Sequence, residues 1–223
     1  WAAVAALTVA VVARGIAVGH GPFANQYEFA VSFSWGMVAA AAIARRRFAM
    51  PAVSLATLPV ALAMLLYAMT LDAGARPLVP ALQNHWLLTV HVLAAVLAYG
   101  AAAVSCGAAV LLLISLRRGG ESPQTARLDE IAYRSVVVSY PLLTMMLVLG
   151  AVWADIAWGT YWSWDPKETS ALMTWLIYGG YLHARVVNGW RGKRAAVLLL
   201  VAFASVLFTF FGNLFLGGLH SYA

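Results

Sequence analysis

Residues Trp86 to Leu116 read WLLTVHVLAAVLAYGAAAVSCGAAVLLLISL, 31 consecutive positions without an aspartate, glutamate, lysine or arginine. About 20 predominantly apolar residues suffice to cross a hydrocarbon core as a helix. As an α-helix this stretch would be roughly 46 Å long, well beyond the ~30 Å of that core, so one end must protrude. Arg117 and Arg118 mark the other end. Breaks of Pro, Gly and charge cut the rest of the chain into six further apolar stretches, at about 1–18, 27–44, 52–71, 133–155, 167–188 and 195–216. No stretch alternates with period two as a barrel strand would. The expected fold class is an all-α integral membrane protein, a polytopic helical bundle of about seven transmembrane helices forming a single domain over 1–223. The composition agrees: 63% of the 223 residues are hydrophobic and 10% charged, against ~45–50% and ~25% in soluble domains.

Basic residues exceed acidic ones, 14 to 8, and 11 of the 14 fall in the connections around 45–51, 117–134 and 185–194. Cytoplasmic loops concentrate Lys and Arg, so this side is expected to be cytoplasmic, and the surplus is not read as a nucleic-acid footprint. With Arg117 and Arg118 on that side, the excess of the fourth span is external. Ser122-Pro123 followed by Leu128, Ile131 and Ala132 reads as an N-capped amphipathic helix leading into span five. Two lysines against twelve arginines favour a high-GC bacterial genome, hence a bacterial cytoplasmic membrane over a thylakoid. The chain starts at Trp1 inside an apolar run, so a preceding segment is expected and no signal peptide is recognisable. Its one cysteine, Cys106, allows neither a CxxC pair nor a CxxCH haem-attachment site and is read as a packing residue.

Four of the nine tryptophans lie between 153 and 164, in Trp153-Ala-Asp-Ile-Ala-Trp158-Gly-Thr-Tyr-Trp162-Ser-Trp164-Asp165-Pro-Lys-Glu168. An interfacial aromatic belt is one reading. The other is a surface for a large planar apolar ligand, since belts scatter their aromatics over several helix ends and stacking adds on the order of 0.5–1.5 kcal/mol per aromatic contact. Asp165-Pro166-Lys167-Glu168 has the form of a capping box opening span six, so Asp165 is read first as a cap, a role compatible with fixing the aromatic surface before it.

Histidine is uncommon in membrane spans and usually has a purpose there. His91 lies near the outer end of span four, and His220 follows the Gly217-Gly218 break after span seven, so both are expected at the level of the tryptophans. Two imidazoles beside aromatic walls can hold a haem through axial nitrogens; solvated or hydrogen-bonded interfacial histidines are the alternative. His183 lies ~24 Å further down span six from Lys167, after Gly179 and Gly180, inside the cytoplasmic leaflet. A second haem position and tight helix packing through small residues both remain open there. No role is assigned to His20 or His85.

The run from Trp158 to Glu168, continuing through Trp175-Leu-Ile-Tyr178 to Tyr181-Leu-His183-Ala-Arg185, resembles the tryptophan-rich WWD domain of haem-handling proteins. Within that superfamily it is similar to the CcsA (ResC) family, the haem-handling subunits of system II cytochrome c synthases. Asn25-Gln-Tyr-Glu28, Pro80 through Trp86 to His91-Val92, Gly189-Trp-Arg-Gly-Lys-Arg194 and Gly218-Leu-His220-Ser-Tyr222 extend the likeness over nearly the whole chain. The resemblance implies that His91 and His220 are axial ligands of haem b iron on the external face. It implies that His183 receives haem from the cytoplasmic side with a histidine of a CcsB (ResB)-type partner. Trp158, Trp162, Trp164 and Asp165 match the WWD signature. The implied function is cytochrome c biogenesis: transport of haem outward and its presentation to the CxxCH of apocytochrome c for thioether attachment, a haem lyase activity shared with the partner. The alternative is a b-type electron-transfer subunit whose haem stays in place. A transporter coupled to ions is disfavoured, because Asp and Glu are nearly absent from the span centres.

Overall fold

The structure is a computed structural model describing residues 1–75, 78, 82, 83 and 85–220, without the side chains of 85, 213 and 214. Pro80, Asn84, Ser221 and Tyr222, members of the motifs above, lie outside the described residues, as does the side chain of His85. The elements are α1 (Ala2–Val18), α2 (Gln26–Phe48), α3 (Pro51–Ala68), α4 (His85–Gly119), α5 (Pro123–Trp158), α6 (Pro166–Val186), α7 (Gly192–Phe211) and the four-residue α8 (Asn213–Leu216). Among the described residues there is no strand. Five helices, α2, α3, α4, α5 and α7, are long and apolar enough to cross a membrane; α1 is apolar but has 17 residues. The seven expected spans thus all appear as helices in a polytopic integral membrane bundle.

Two boundaries differ from expectation. The amphipathic segment and span five are one continuous helix of 36 residues, α5. Its start is as the sequence indicates, with Ser122 capping Thr125 and Pro123 in the first turn; nothing between Arg134 and Ser139 breaks the ladder. Span seven divides at Gly212 into α7 and α8.

α4 is the central element, packed against α2, α3, α5 and α7. In a bilayer helices gain little from hiding apolar surface from lipid, so they associate through small residues and interhelical hydrogen bonds. α4 has both. A side chain at Gly100 would meet the Gly36 carbonyl oxygen at 2.5 Å, and one at Gly107 would meet Thr57 Oγ1 at 2.7 Å, so α2 and α3 approach α4 at glycines. Ser139 Oγ on α5 donates to the Ala98 carbonyl at 2.7 Å. The Thr174 and Thr209 hydroxyls meet at 3.0 Å between α6 and α7, and Trp175 Nε1 donates to Thr144 Oγ1 at 2.9 Å between α6 and α5.

The two ends of the bundle have different chemistry. At the basic end, Asp129 of α5 pairs with Arg185 of α6 at 2.5 Å and accepts from the Gly192 backbone N–H at 2.9 Å, which ties α5, α6 and the start of α7 together. Both side chains are buried. At the opposite end Arg14 of α1 donates to Glu28 of α2 at 2.9 Å, while Asn25 Oδ1 accepts from the Glu28 N–H and caps α2. The starts of α2, α4 and α6 and the ends of α5 and α7 converge there around a cavity.

Candidate imidazole and tryptophan site

The cavity lies inside that end of the bundle and encloses about 1110 Å³, the open space at its mouth included. Phe29, Phe33, Val92, Val96, Leu147 and Phe210 supply apolar walls, and Tyr99 lies at its inner reach, about 12 Å along α4 from His91. His91 and His220 both line it.

Each imidazole is held through Nδ1. His91 Nδ1 is 2.9 Å from the Met146 carbonyl oxygen of α5, and His220 Nδ1 is 2.8 Å from Asp165 Oδ1. A carbonyl and a carboxylate only accept, so Nδ1 carries the proton in both rings, and in the neutral ring Nε2 keeps its lone pair. The rings share Trp153: His91 lies nearly parallel to the indole (centroids 6.4 Å, 13°), and His220 is tilted against it at 5.6 Å. Trp158 meets His220 at 4.8 Å and Trp153 at 4.8 Å, edge-on in both cases.

Backbone geometry makes these positions possible. A side chain at Gly150 would lie 2.8 Å from His91 Cε1, so the imidazole rests directly on the α5 backbone one turn after Met146. Gly218 has φ +125°, a conformation open to glycine, and any Cβ there would collide with Asp165 Oδ2. That close approach lets the Leu219 N–H donate to Asp165 Oδ2 at 2.6 Å, and His220 follows.

Asp165 fills both roles considered for it. Its Oδ1 accepts from the Lys167 N–H at 2.9 Å at the start of α6, Glu168 Oε2 accepts from the Asp165 N–H at 3.2 Å to complete the box, and the same carboxylate holds His220. Burial opposes its charge, but the Lys167 and Leu219 N–H groups and His220 hold the carboxyl below the usual carboxylate range. Burial pushes the His220 imidazole down from 6.5 to about 4, with the Lys167 ammonium acting in the same direction and Asp165 against it. His220 is therefore neutral at pH 7, the state that can ligate a metal.

The other expected site residues separate by position. Trp162 lines the cavity. Trp158 packs behind it, in a cluster with Trp153, Phe23 and Val92. Trp164, with φ +61° and 69% of its surface exposed, touches Trp162 edge-on at 5.9 Å. His183 is on an exposed face of α6 at the basic end, and beside it Gly180 opens onto free space while Gly179 packs on the Tyr140 ring. Trp153, Gly150, Met146 and Gln26 belong to the site without having been singled out as site residues. Trp153 had a signal in the tryptophan cluster; the others join through contacts between distant segments.

The donor set fits an iron porphyrin: two imidazoles tied at Nδ1, aromatic and aliphatic walls, and an amide, Gln26 Nε2, buried on the cavity wall without a hydrogen-bond partner among the described residues. Fold and site together define a polytopic membrane protein with an imidazole-armed apolar pocket at one end of its bundle. Comparison with known proteins names the lineage: residues 23–220 match the cytochrome C assembly protein family, and the chain belongs to that family. It is 36% identical to the cytochrome c biogenesis protein CcsA of Gloeobacter violaceus over 99% of this chain and 84% of that protein. It is 36% identical to the CcsA of Synechococcus elongatus (94% and 81%) and 34% identical to that of Guillardia theta (97% and 81%).

Proposed function

We propose that this chain acts in cytochrome c biogenesis as the haem-handling subunit of a system II synthase, holding haem b between His91 and His220 and presenting it to apocytochrome c. The observation that carries the reading is the pair of imidazoles, each oriented through Nδ1, on one cavity beside Trp153. The tryptophan end is assigned to the external face of a bacterial cytoplasmic membrane, because Arg45, Arg46, Arg47, Arg117, Arg118 and Arg191 cluster at the other end.

In this reading His91 and His220 would ligate the haem iron and shield it from oxidants, and Asp165 and Met146 hold the rings in place. Trp158 and Trp164 shape the surface at which a CxxCH segment meets the vinyl groups, and Trp162 forms part of the haem-facing wall. Each thiol adds across one vinyl, its sulfur bonding one carbon and its proton passing to the other, so the addition needs no oxidant. The chain contributes proximity and orientation. His183, exposed at the basic end, is assigned to haem entry, with a CcsB-type partner completing its ligation from the side left open at Gly180.

The experiment is the visible spectrum of the purified chain, with His91→Ala and His220→Ala, followed by co-expression with a CcsB-type partner and an apocytochrome. Bis-imidazole bands lost in each variant, and haem transferred covalently by the wild type, are expected. Unchanged bands in both variants would sink the ligand assignment, and haem that never reaches the apocytochrome would make the chain a resident b-type cytochrome.

A further inference from the structure

We infer that the cavity contains a carboxylate subsite in which Lys167, Gln26 and Trp162 receive the propionate groups of the bound haem. The inference rests on the haem reading above and adds which edge of the macrocycle the protein holds.

Three hydrogen-bond donors face this cavity without an acceptor among the described residues. Gln26 is 8% exposed, lines the cavity and leaves Nε2 buried and unpartnered. Trp162 lines it too and leaves Nε1 buried and unpartnered. Lys167 lines it with no ion pair among the described residues; its ammonium lies 4.9 Å from the centroid of the Phe29 ring. Gln26 and Phe29 are one turn apart on α2 and both line the cavity, which puts the amide on the same helix face as the ring that carries the ammonium.

Gln26 Nε2 and Trp162 Nε1 are buried, and each carries a desolvation cost while unpaired; the Lys167 ammonium is half-buried beside them. A ligand with acidic oxygens satisfies all three. The one acid on the wall, Glu168, is not paired with any of them. Its Oε2 accepts from the Ser163 N–H, the Ser163 hydroxyl and the Asp165 N–H, and its Oε1 is buried without a donor among the described residues. Selection therefore depends on where the donors stand rather than on net charge. Vinyl and propionate groups occupy opposite edges of the macrocycle, so fixing the carboxylates leaves the vinyl edge free for the incoming thiols.

The test is a spectral titration of the purified full chain with iron protoporphyrin and, separately, with its dimethyl ester, which keeps the iron and ring but masks both carboxylates. Wild type is expected to bind the free acid about tenfold more tightly than the ester, the size of one hydrogen bond to a charged group. Lys167→Met and Gln26→Leu are each expected to reduce that preference severalfold while leaving the positions of the bis-imidazole bands unchanged; Lys167→Arg is expected to retain it. Trp162→Phe keeps an aromatic wall and removes only the indole donor, an independent arm should the others fail to fold. Equal binding of acid and ester by wild type, or variants that weaken both equally, overturns the subsite while leaving the haem reading intact. Failure of wild type to bind either form overturns both.

Discussion

Asp165 and His220 stand 55 positions apart in the sequence and meet at 2.8 Å, the carboxylate of a helix cap serving as the hydrogen-bond acceptor of an imidazole. One side chain thereby couples the start of α6 to the segment after α8. Asp165→Asn keeps a good N-cap residue but cannot accept from Lys167, His220 and Leu219 as the carboxylate does. The helical circular dichroism is expected to persist, while haem affinity falls about 10–100-fold, as for loss of a hydrogen bond that orients a metal-binding histidine. Equal haem retention by the variant and the wild type in a detergent wash would contradict this.

His220 gives stability a defined pH dependence. In the unfolded chain its imidazole titrates near 6.5; in the folded one, near 4. Between these values the unfolded state binds more protons, so stability rises with pH across that window and falls on acidification from 6.5 toward 4. The loss on going from neutral pH to pH 5 is about 2 kcal/mol from this group. Asp165 acts in the same direction at lower pH, since its depressed carboxyl contributes stability that is lost only below the ordinary carboxylate range. Thermal unfolding of the detergent-solubilised, haem-free protein at pH 7 and pH 5, repeated with His220→Gln, reads the effect. An equal slope in the variant would assign the dependence to another group.

Gly150→Ala tests the seat of His91. The added methyl would lie 2.8 Å from Cε1, so the ring must move and the bond from Nδ1 to Met146 lengthens. α5 gains helix propensity from the change, so the helix stays formed. The expected result is a displaced or mixed axial-ligand spectrum in a folded protein. An unaltered spectrum would mean that the contact is not restrictive.

Much of this was legible in the sequence, for identifiable reasons. Span lengths followed from the ~1.5 Å rise per residue, which also put His91 and His220 at one end. Pro166 and Glu168 announced the cap at Asp165. The continuity of α5 escaped notice because the polar stretch from Ser122 to Arg134 was separated from the apolar one by composition, whereas no breaker stands between them and the helix runs on even through Pro141. Gly150, Met146 and Gln26 escaped for a different reason. Their roles depend on which helix faces which, and a glycine under an imidazole looks the same in sequence as a glycine at any other helix contact.

Arg185 and His183, two residues apart on α6, should respond in opposite ways to truncation. Arg185 is buried against Asp129, lies over the Tyr133 ring at 5.1 Å and donates to the Trp190 carbonyl at 3.1 Å. Removing it leaves the buried Asp129 carboxylate with only the Gly192 N–H and the exposed Arg191 at 3.9 Å, a loss on the order of 3–5 kcal/mol, so Arg185→Met is expected to lower thermal stability sharply and reduce the amount of protein in the membrane. His183 projects from the exposed face of the same turn region, and its truncation touches no buried group. His183→Ala should leave stability within about 0.5 kcal/mol of wild type and still abolish covalent haem attachment in co-expression with a CcsB-type partner and an apocytochrome, because the role proposed for it is haem entry and not folding. Full attachment by His183→Ala would remove it from the haem route, whereas a melting temperature that falls with it would reassign His183 to helix packing.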